Sequence, residues 1–314
     1  MEWTTEDISA PVNGQHGEII GARCGRANNV EDMLTYIETT PRIDGAGEAS
    51  EKEYNGGKVR KGSSVYNSPG WDIEDAKDVK GGEMVAFYSE LARTGYAKAR
   101  EDLRDVMIEV QAGANDAPRP DFFYDVAGSI PSVPAYVSGD PACMMELGET
   151  PIKPTCRISV EVGVSHRCRA KAVYMRGVAI LGLINSLERQ GINTELSIAY
   201  TCDMSERLYD GPSIAFVCPI RELGQAFDLD QIAFFLATPG RLRRIGFALM
   251  ERDKETVNLT RGGYGEAASS GLALPDYDIV FPRMLPGTLT KWEDAQYAHD
   301  EIAKVAGDKG YSTR

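Results

Sequence analysis

Within ten residues the chain carries Arg167, Arg169, Lys171 and Arg176 and no acid. They follow a strand end, Gly163-Val164-Ser165-His166, and run into the start of a helix. Guanidinium and ammonium groups gathered without carboxylates suit phosphate oxygens, which a guanidinium grips with a planar fork. A second group, Arg241, Arg243, Arg244, Arg252 and Lys254, precedes Arg261 and Tyr264 in a glycine-rich loop. A third stretch interleaves Lys52, Tyr54, Lys58, Arg60, Lys61 and Tyr66. Cations alternating with aromatic rings fit an unpaired nucleic-acid strand, because the rings stack on bases while the cations follow the backbone. The competing reading is that these charges neutralise acidic neighbours in solvated surface pairs.

Other chemistry finds less support. Ser165 and His166 offer an enzymatic alternative at the same strand end, but Ser165 lacks a Gly-x-Ser-x-Gly context. With three histidines in the chain and no acid adjacent to it in sequence, His166 reads as a hydrogen-bonded loop residue. No P-loop, GxGxxG or HExxH occurs, and the glycines of Gly262-Gly263-Tyr264-Gly265 match no phosphate cradle. The expectation is a protein without catalytic residues, metal or cofactor.

Bulk composition narrows the class further. The net charge is −13, with Lys153, Arg157, Arg167, Arg169, Lys171 and Arg176 opposed only by Glu161 between residues 151 and 180. So acidic a body does not coat duplex DNA, yet it leaves room for a local basic groove. The six cysteines contain no CxxC pair, which argues for reduced thiols in a cytoplasmic setting. The acidic start, Met1-Glu2-Trp3-Thr4-Thr5-Glu6-Asp7, lacks the apolar run of a signal peptide. No membrane span is expected.

The elements that must position the cations are legible in outline. Ile158 to Val164 alternates and is β-branched, which predicts a strand. Val173, Val178, Leu181, Ile184 and Leu187 recur on one face of a helix from about 170 to 190, with Gly191 as its stop. Thr194 to Tyr200 is a second strand, completing a βαβ unit whose strand ends usually hold ligand. Ser213 to Cys218 predicts a strand at a sheet edge before Pro219, and Tyr277 to Phe281 a last buried strand. Helices are expected over 30–39 with an asparagine cap, 83–112 with a break near Thr94-Gly95, 228–237 capped by Asp228, 241–252, and from Thr290 or Trp292 to about Gly307.

The fold class is therefore α/β, a Rossmann-like mixed sheet with a helical and irregular N-terminal part. Three regions are expected. Residues 1–82 hold a mobile basic and aromatic loop at about 44–70. Residues 83–154 form a helix and an irregular connection, whose Phe122, Phe123, Val133, Tyr136, Val137 and Met144 need burial. Residues 155–314 form the core.

Two resemblances bear on this reading. The stretch Ile158 to Tyr200, with Leu187-Glu188-Arg189-Gln190-Gly191 closing the helix, resembles the first strand, helix and second strand of a von Willebrand factor A domain. That family holds Mg²⁺ on Asp-x-Ser-x-Ser at the strand end. Here Gly163 replaces the first aspartate and Cys168 is no ligand for a hard cation, so the resemblance implies a degenerate core without its metal. Asp125-Val126-Ala127-Gly128 through Tyr136 to Met144, with Arg157-Ile158-Ser159-Val160 through Gly191, resembles a bacteriophage protein family of unknown function. That family is identified as including the single-stranded-DNA-binding RNA polymerase cofactor of lytic Pseudomonas podoviruses, and the resemblance covers roughly residues 120 to 245.

That resemblance implies a DNA-binding protein acting in transcription in the cytoplasm of the infected bacterial host. Its partners would be single-stranded DNA and the phage RNA polymerase, and a homo-oligomer is compatible with it. Lys58, Arg60, Lys61, Arg167, Arg169, Lys171, Arg241, Arg243, Arg244 and Arg261 are the expected phosphate contacts. Tyr54, Tyr66 and Tyr264 are the expected stacking residues. The alternative is a von Willebrand A-like interaction adaptor, serving an AAA+ ATPase, with no affinity for nucleic acid.

Overall fold

A computed structural model describes residues 1–8, 11–12, 15–16, 20–43, 73–79, 83–97, 122–147, 154–164, 168–202, 214–226, 228–259, 276–284 and 286–311. The fold is α/β, built on a six-stranded mixed sheet. Its strands are β1 (Glu2–Ile8), β2 (Ile20–Arg26), β6 (Thr155–Glu161), β7 (Asn193–Cys202), β8 (Ile214–Arg221) and β9 (Ile279–Phe281). They lie in the order β1-β2-β8-β7-β6-β9. The pairs β6/β7, β6/β9 and β2/β8 are parallel, whereas β7/β8 and β1/β2 are antiparallel. A separate small sheet is formed by β3 (Phe122–Asp125), β4 (Ile130–Pro131) and β5 (Met144–Leu147), with β5 in the middle.

Period-two alternation sends the two sides of each strand to different layers. Ile158 and Val160, Leu196, Ile198 and Tyr200, and Ile214, Phe216, Cys218 and Ile220 join the main core. The opposite face presents the small residues Cys24, Ala199, Ala215 and Val217, against which Tyr277 and Val280 pack. Helices α1 (Val30–Thr39), α2 (Met84–Thr94), α4 (Ala170–Arg189), α5 (Leu229–Ala237) and α8 (Ala295–Gly307) bury their apolar stripes in the main core. Short helices α3 (Val133–Val137), α6 (Phe247–Met250) and α7 (Lys254–Leu259) complete the set among the described residues, and a π turn over Leu242–Gly246 leads into α6.

The caps follow local chemistry. Asn29, Asp228 and Asp294 accept hydrogen bonds from the backbone N–H groups of Asp32, Gln231 and Tyr297, which satisfies donors the helices leave open. Gly191 ends α4 at φ +80°, a left-handed position at which a side chain would be strained.

Several expectations need correction. The N-terminal stretch is not merely irregular with one helix, because β1 and β2 extend the core sheet by pairing onto β8. Their sequences, rich in Thr, Glu, Gly and Arg, carry little apolar alternation, so pairing rather than propensity makes them strands. The strand β8 is interior, not an edge. It tolerates Pro219 because β2 pairs only with Ile214–Val217 and the register towards β7 shifts between Pro219 and Arg221. The helix expected over 241–252 contains the π turn, continues as α6 and ends at Met250, with α7 a separate helix beyond it, and α8 starts at Ala295 with Asp294 as its cap. The break at Gly95 stands as expected, and the remainder of that helix, from 98 to 112, lies outside the described residues, as does the loop 44–70.

The region around 122–147 departs from the expectation of burial at three of its six positions, while Met144 is half-buried and the side chains of Phe122 and Phe123 lie outside those described. Val133, Tyr136 (73 %) and Val137 (78 %) are exposed, together with Tyr124 and Val126. A three-stranded sheet with a five-residue helix is too small to enclose a core, so its apolar groups remain on the outside.

Candidate functional site

The carboxyl ends of β6 and β9, and the opening of α4 above them, bring together Arg169, Lys171 and Arg176. Helix α4 returns antiparallel to β6, and its first turn contains no acid and no side-chain cap. Arg169 (74 % exposed) and Lys171 stand on this rim in solvent. Arg169 has one weak partner, Glu293, at 3.5 Å, and so exposed a pair contributes little to stability. Both side chains are therefore available to a ligand.

Arg176 lies on the inner face of the same helix, three residues after Val173 and four before Ile180, and is 5 % exposed. Helical side chains lean towards the N-terminus, which carries its guanidinium to the strand ends. There Nη1 donates to the Glu161 carbonyl at 2.8 Å, and Nη2 donates to the Pro282 carbonyl at 2.6 Å and the Phe281 carbonyl at 3.4 Å. One guanidinium thus ties the ends of two neighbouring parallel strands. The Trp292 ring stands beside it, with its centre 5.9 Å from Cζ. Glu161 turns a carboxylate oxygen back onto the Gly163 N–H at 2.9 Å, so the strand end closes on itself.

The second arginine group enters from the other side of α4. Gly177 permits this close approach, since a Cβ there would meet the Leu236 carbonyl oxygen at 2.8 Å and Ala237 Cα at 3.1 Å. The crossing of α4 and α5 places the turn after α5 beside Arg176, and that turn delivers Arg241 into the interior (4 % exposed). Arg244 is likewise buried. Burial pulls the Arg176 guanidinium down to about 10, with Glu161 and Cys168 opposing the shift. Burial and then the positive charge of Arg176 bring Arg241 down to about 9. Burial pushes the neighbouring Cys168 thiol up to about 11, so it is no nucleophile at neutral pH.

The sequence-based list of contacts therefore divides. Arg169 and Lys171 meet solvent where a ligand can reach them. Arg241 and Arg244 do not, and their assignment as surface phosphate contacts is corrected: each falls on the apolar side of a helical turn and is folded inward. Lys58, Arg60, Lys61, Arg167, Arg261, Tyr54, Tyr66 and Tyr264, and the side chain of Arg243, lie outside the described residues, as do Ser165 and His166. The two cationic groups do meet, but through Arg176 and Arg241 inside the protein. Arg176 was absent from the expected contacts, although its place in the repeat Val173, Gly177, Ile180, Ile184 was a visible signal of inward orientation.

Among the described residues no group of three His, Cys, Asp or Glu is placed to hold a metal ion, and no helix is long and apolar enough to cross a membrane. No curated protein and no solved structure matches the chain. The strand ends, α4 and the buried arginines all fall within residues 25–306, which match the model of the family described as a domain of unknown function (DUF7192), and the protein belongs to that family.

Proposed function

We propose that the protein is a non-enzymatic single-stranded-DNA-binding protein of a bacteriophage, which recruits the phage RNA polymerase to unwound promoters in the cytoplasm of the infected host. The observation that carries this is the opening of α4. Arg169 and Lys171 stand exposed there with no acid in the helix's first turn, on a protein whose net charge is −13. A cationic rim on an anionic body attracts a strand to one place and repels it elsewhere. The same α/β core, with β6, α4 and β7 followed by the antiparallel β8, supports reading it as a degenerate von Willebrand A-like scaffold.

The exposed apolar side chains of 122–147 serve the polymerase in this reading. The charged residues beside Tyr124, Val126, Tyr136 and Val137 include Asp125 and Asp140, so the matching surface is apolar and rimmed with basic groups. This patch also favours the second reading, an adaptor that binds proteins alone.

Mobility shifts with single- and double-stranded oligonucleotides at several salt concentrations separate the two. The wild type is expected to prefer the single strand. Replacing Arg169 and Lys171 together by alanine is expected to weaken binding to every sequence alike and to flatten the log–log salt slope by roughly 1.4, at about 0.7 per lost phosphate contact. A wild type that binds neither oligonucleotide, or a double variant with an unchanged slope, removes the nucleic-acid reading and leaves the adaptor.

A further inference from the structure

The buried arginines hold more positive charge than the described structure neutralises. Arg241 has no hydrogen-bond acceptor for Nε or Nη1, and Arg176 has none for Nε. A buried N–H without an acceptor is costly, and a buried charge facing a like charge more so. Arginine does not escape by losing its proton, because even the depressed values leave it charged at neutral pH. Glu161 offsets Arg176 in part, but among the described residues Arg176 is the one charge acting on Arg241, and it is repulsive. Three buried donors, and a charge that no described residue offsets, thus adjoin one place, the carboxyl ends of β6 and β9 that Arg176 caps. It is where open α/β sheets tend to hold ligands. The π turn that starts after Arg241 is a departure from regular helix that often accompanies such sites.

We infer that Arg176 and Arg241 together form an interior site for a phosphate-class oxyanion, held by Arg176 Nε and by Arg241 Nε and Nη1. A tetrahedral oxyanion carries acceptors in several directions and at least one negative charge, which is what these three donors lack. Donors buried this deeply suit a small anion or the terminal phosphate of a strand rather than a phosphodiester passing through. The inference stands whether or not the exposed rim binds DNA.

The test uses the full chain. Thermal unfolding of the wild type is compared in sodium phosphate and sodium chloride at equal ionic strength, and ³¹P line broadening of inorganic phosphate is measured with added protein. A saturable rise in Tm and saturable broadening are expected. Arg241→Met should abolish the phosphate-dependent rise while melting in chloride at or above the wild-type temperature, because an unpaired interior charge has been removed. Oligonucleotides with and without a terminal phosphate are then used to displace the bound phosphate. Displacement by the phosphorylated strand alone identifies a strand end as the ligand, and displacement by neither identifies a free oxyanion. A wild type with no broadening and the same Tm in both salts overturns the inference, whether or not the variant folds. So does an Arg241→Met protein that responds to phosphate as the wild type does.

Discussion

Glu188, next to last in α4, is the residue whose loss should be felt most widely across the sheet. Its Oε1 accepts the Thr194 N–H at 2.8 Å, the Thr194 hydroxyl at 2.6 Å and the Arg221 Nη1 at 2.7 Å. Arg221 Nη1 also donates to the Thr194 carbonyl at 2.8 Å and to the Thr194 hydroxyl. One carboxylate therefore joins the end of α4, the start of β7 and the end of β8. Arg221 is buried, whereas Glu188 is 31 % exposed. Removing one partner of a fully buried pair costs about 3–5 kcal/mol, and partial solvent access to Glu188 reduces this to about 2–3 kcal/mol for Glu188→Ala. In urea unfolding the midpoint should fall with little change in slope. Arg221→Met should cost less, since no interior charge is then left alone, and the double variant should lie close to Arg221→Met. The coupling energy from the double-mutant cycle is expected at about 1.5 kcal/mol or more. Additive single effects would refute the claim that the carboxylate's main role is to neutralise Arg221.

Other outcomes follow from single positions. Gly95→Ala should destabilise by about 2 kcal/mol or more, measured by chemical unfolding. At φ +80° a side chain is strained, and its Cβ would lie 2.3 Å from Asp230 Cβ and 2.7 Å from the Asp230 carbonyl carbon. Burial raises the Asp253 carboxyl, but hydrogen bonds from Arg23 and Thr256 outweigh it and hold the group below its usual range. Its stabilising effect is therefore present above the unfolded value near 4 and is lost as pH falls through the lower folded value. Asp253→Asn should flatten the acid limb of a stability–pH curve below about pH 5, and an unchanged limb would contradict this. Alkylation of the native protein should label Cys143 before Cys24, Cys156, Cys168 and Cys218, which are buried, and mass mapping of the products reads the order directly.

The sequence by itself determined the local units whose periodicity and punctuation are self-contained. Helix α4 and its stop at Gly191, the asparagine and aspartate caps of α1 and α5, and the succession of β6, α4 and β7 were all readable, because apolar spacing and short-range hydrogen bonds specify them within one stretch of chain. Tertiary structure decided what depends on partners far away in the chain. Glu2 to Ile8 and Ile20 to Arg26 became strands only by pairing with each other and onto β8, and β8 became interior for the same reason. The direction in which an arginine points was settled by packing. Lys171 and Arg176 lie on different faces of one helix, and one faces water while the other ties two strand ends together. Charge is written in the sequence, but whether it meets solvent or the interior depends on which helical face the rest of the fold covers.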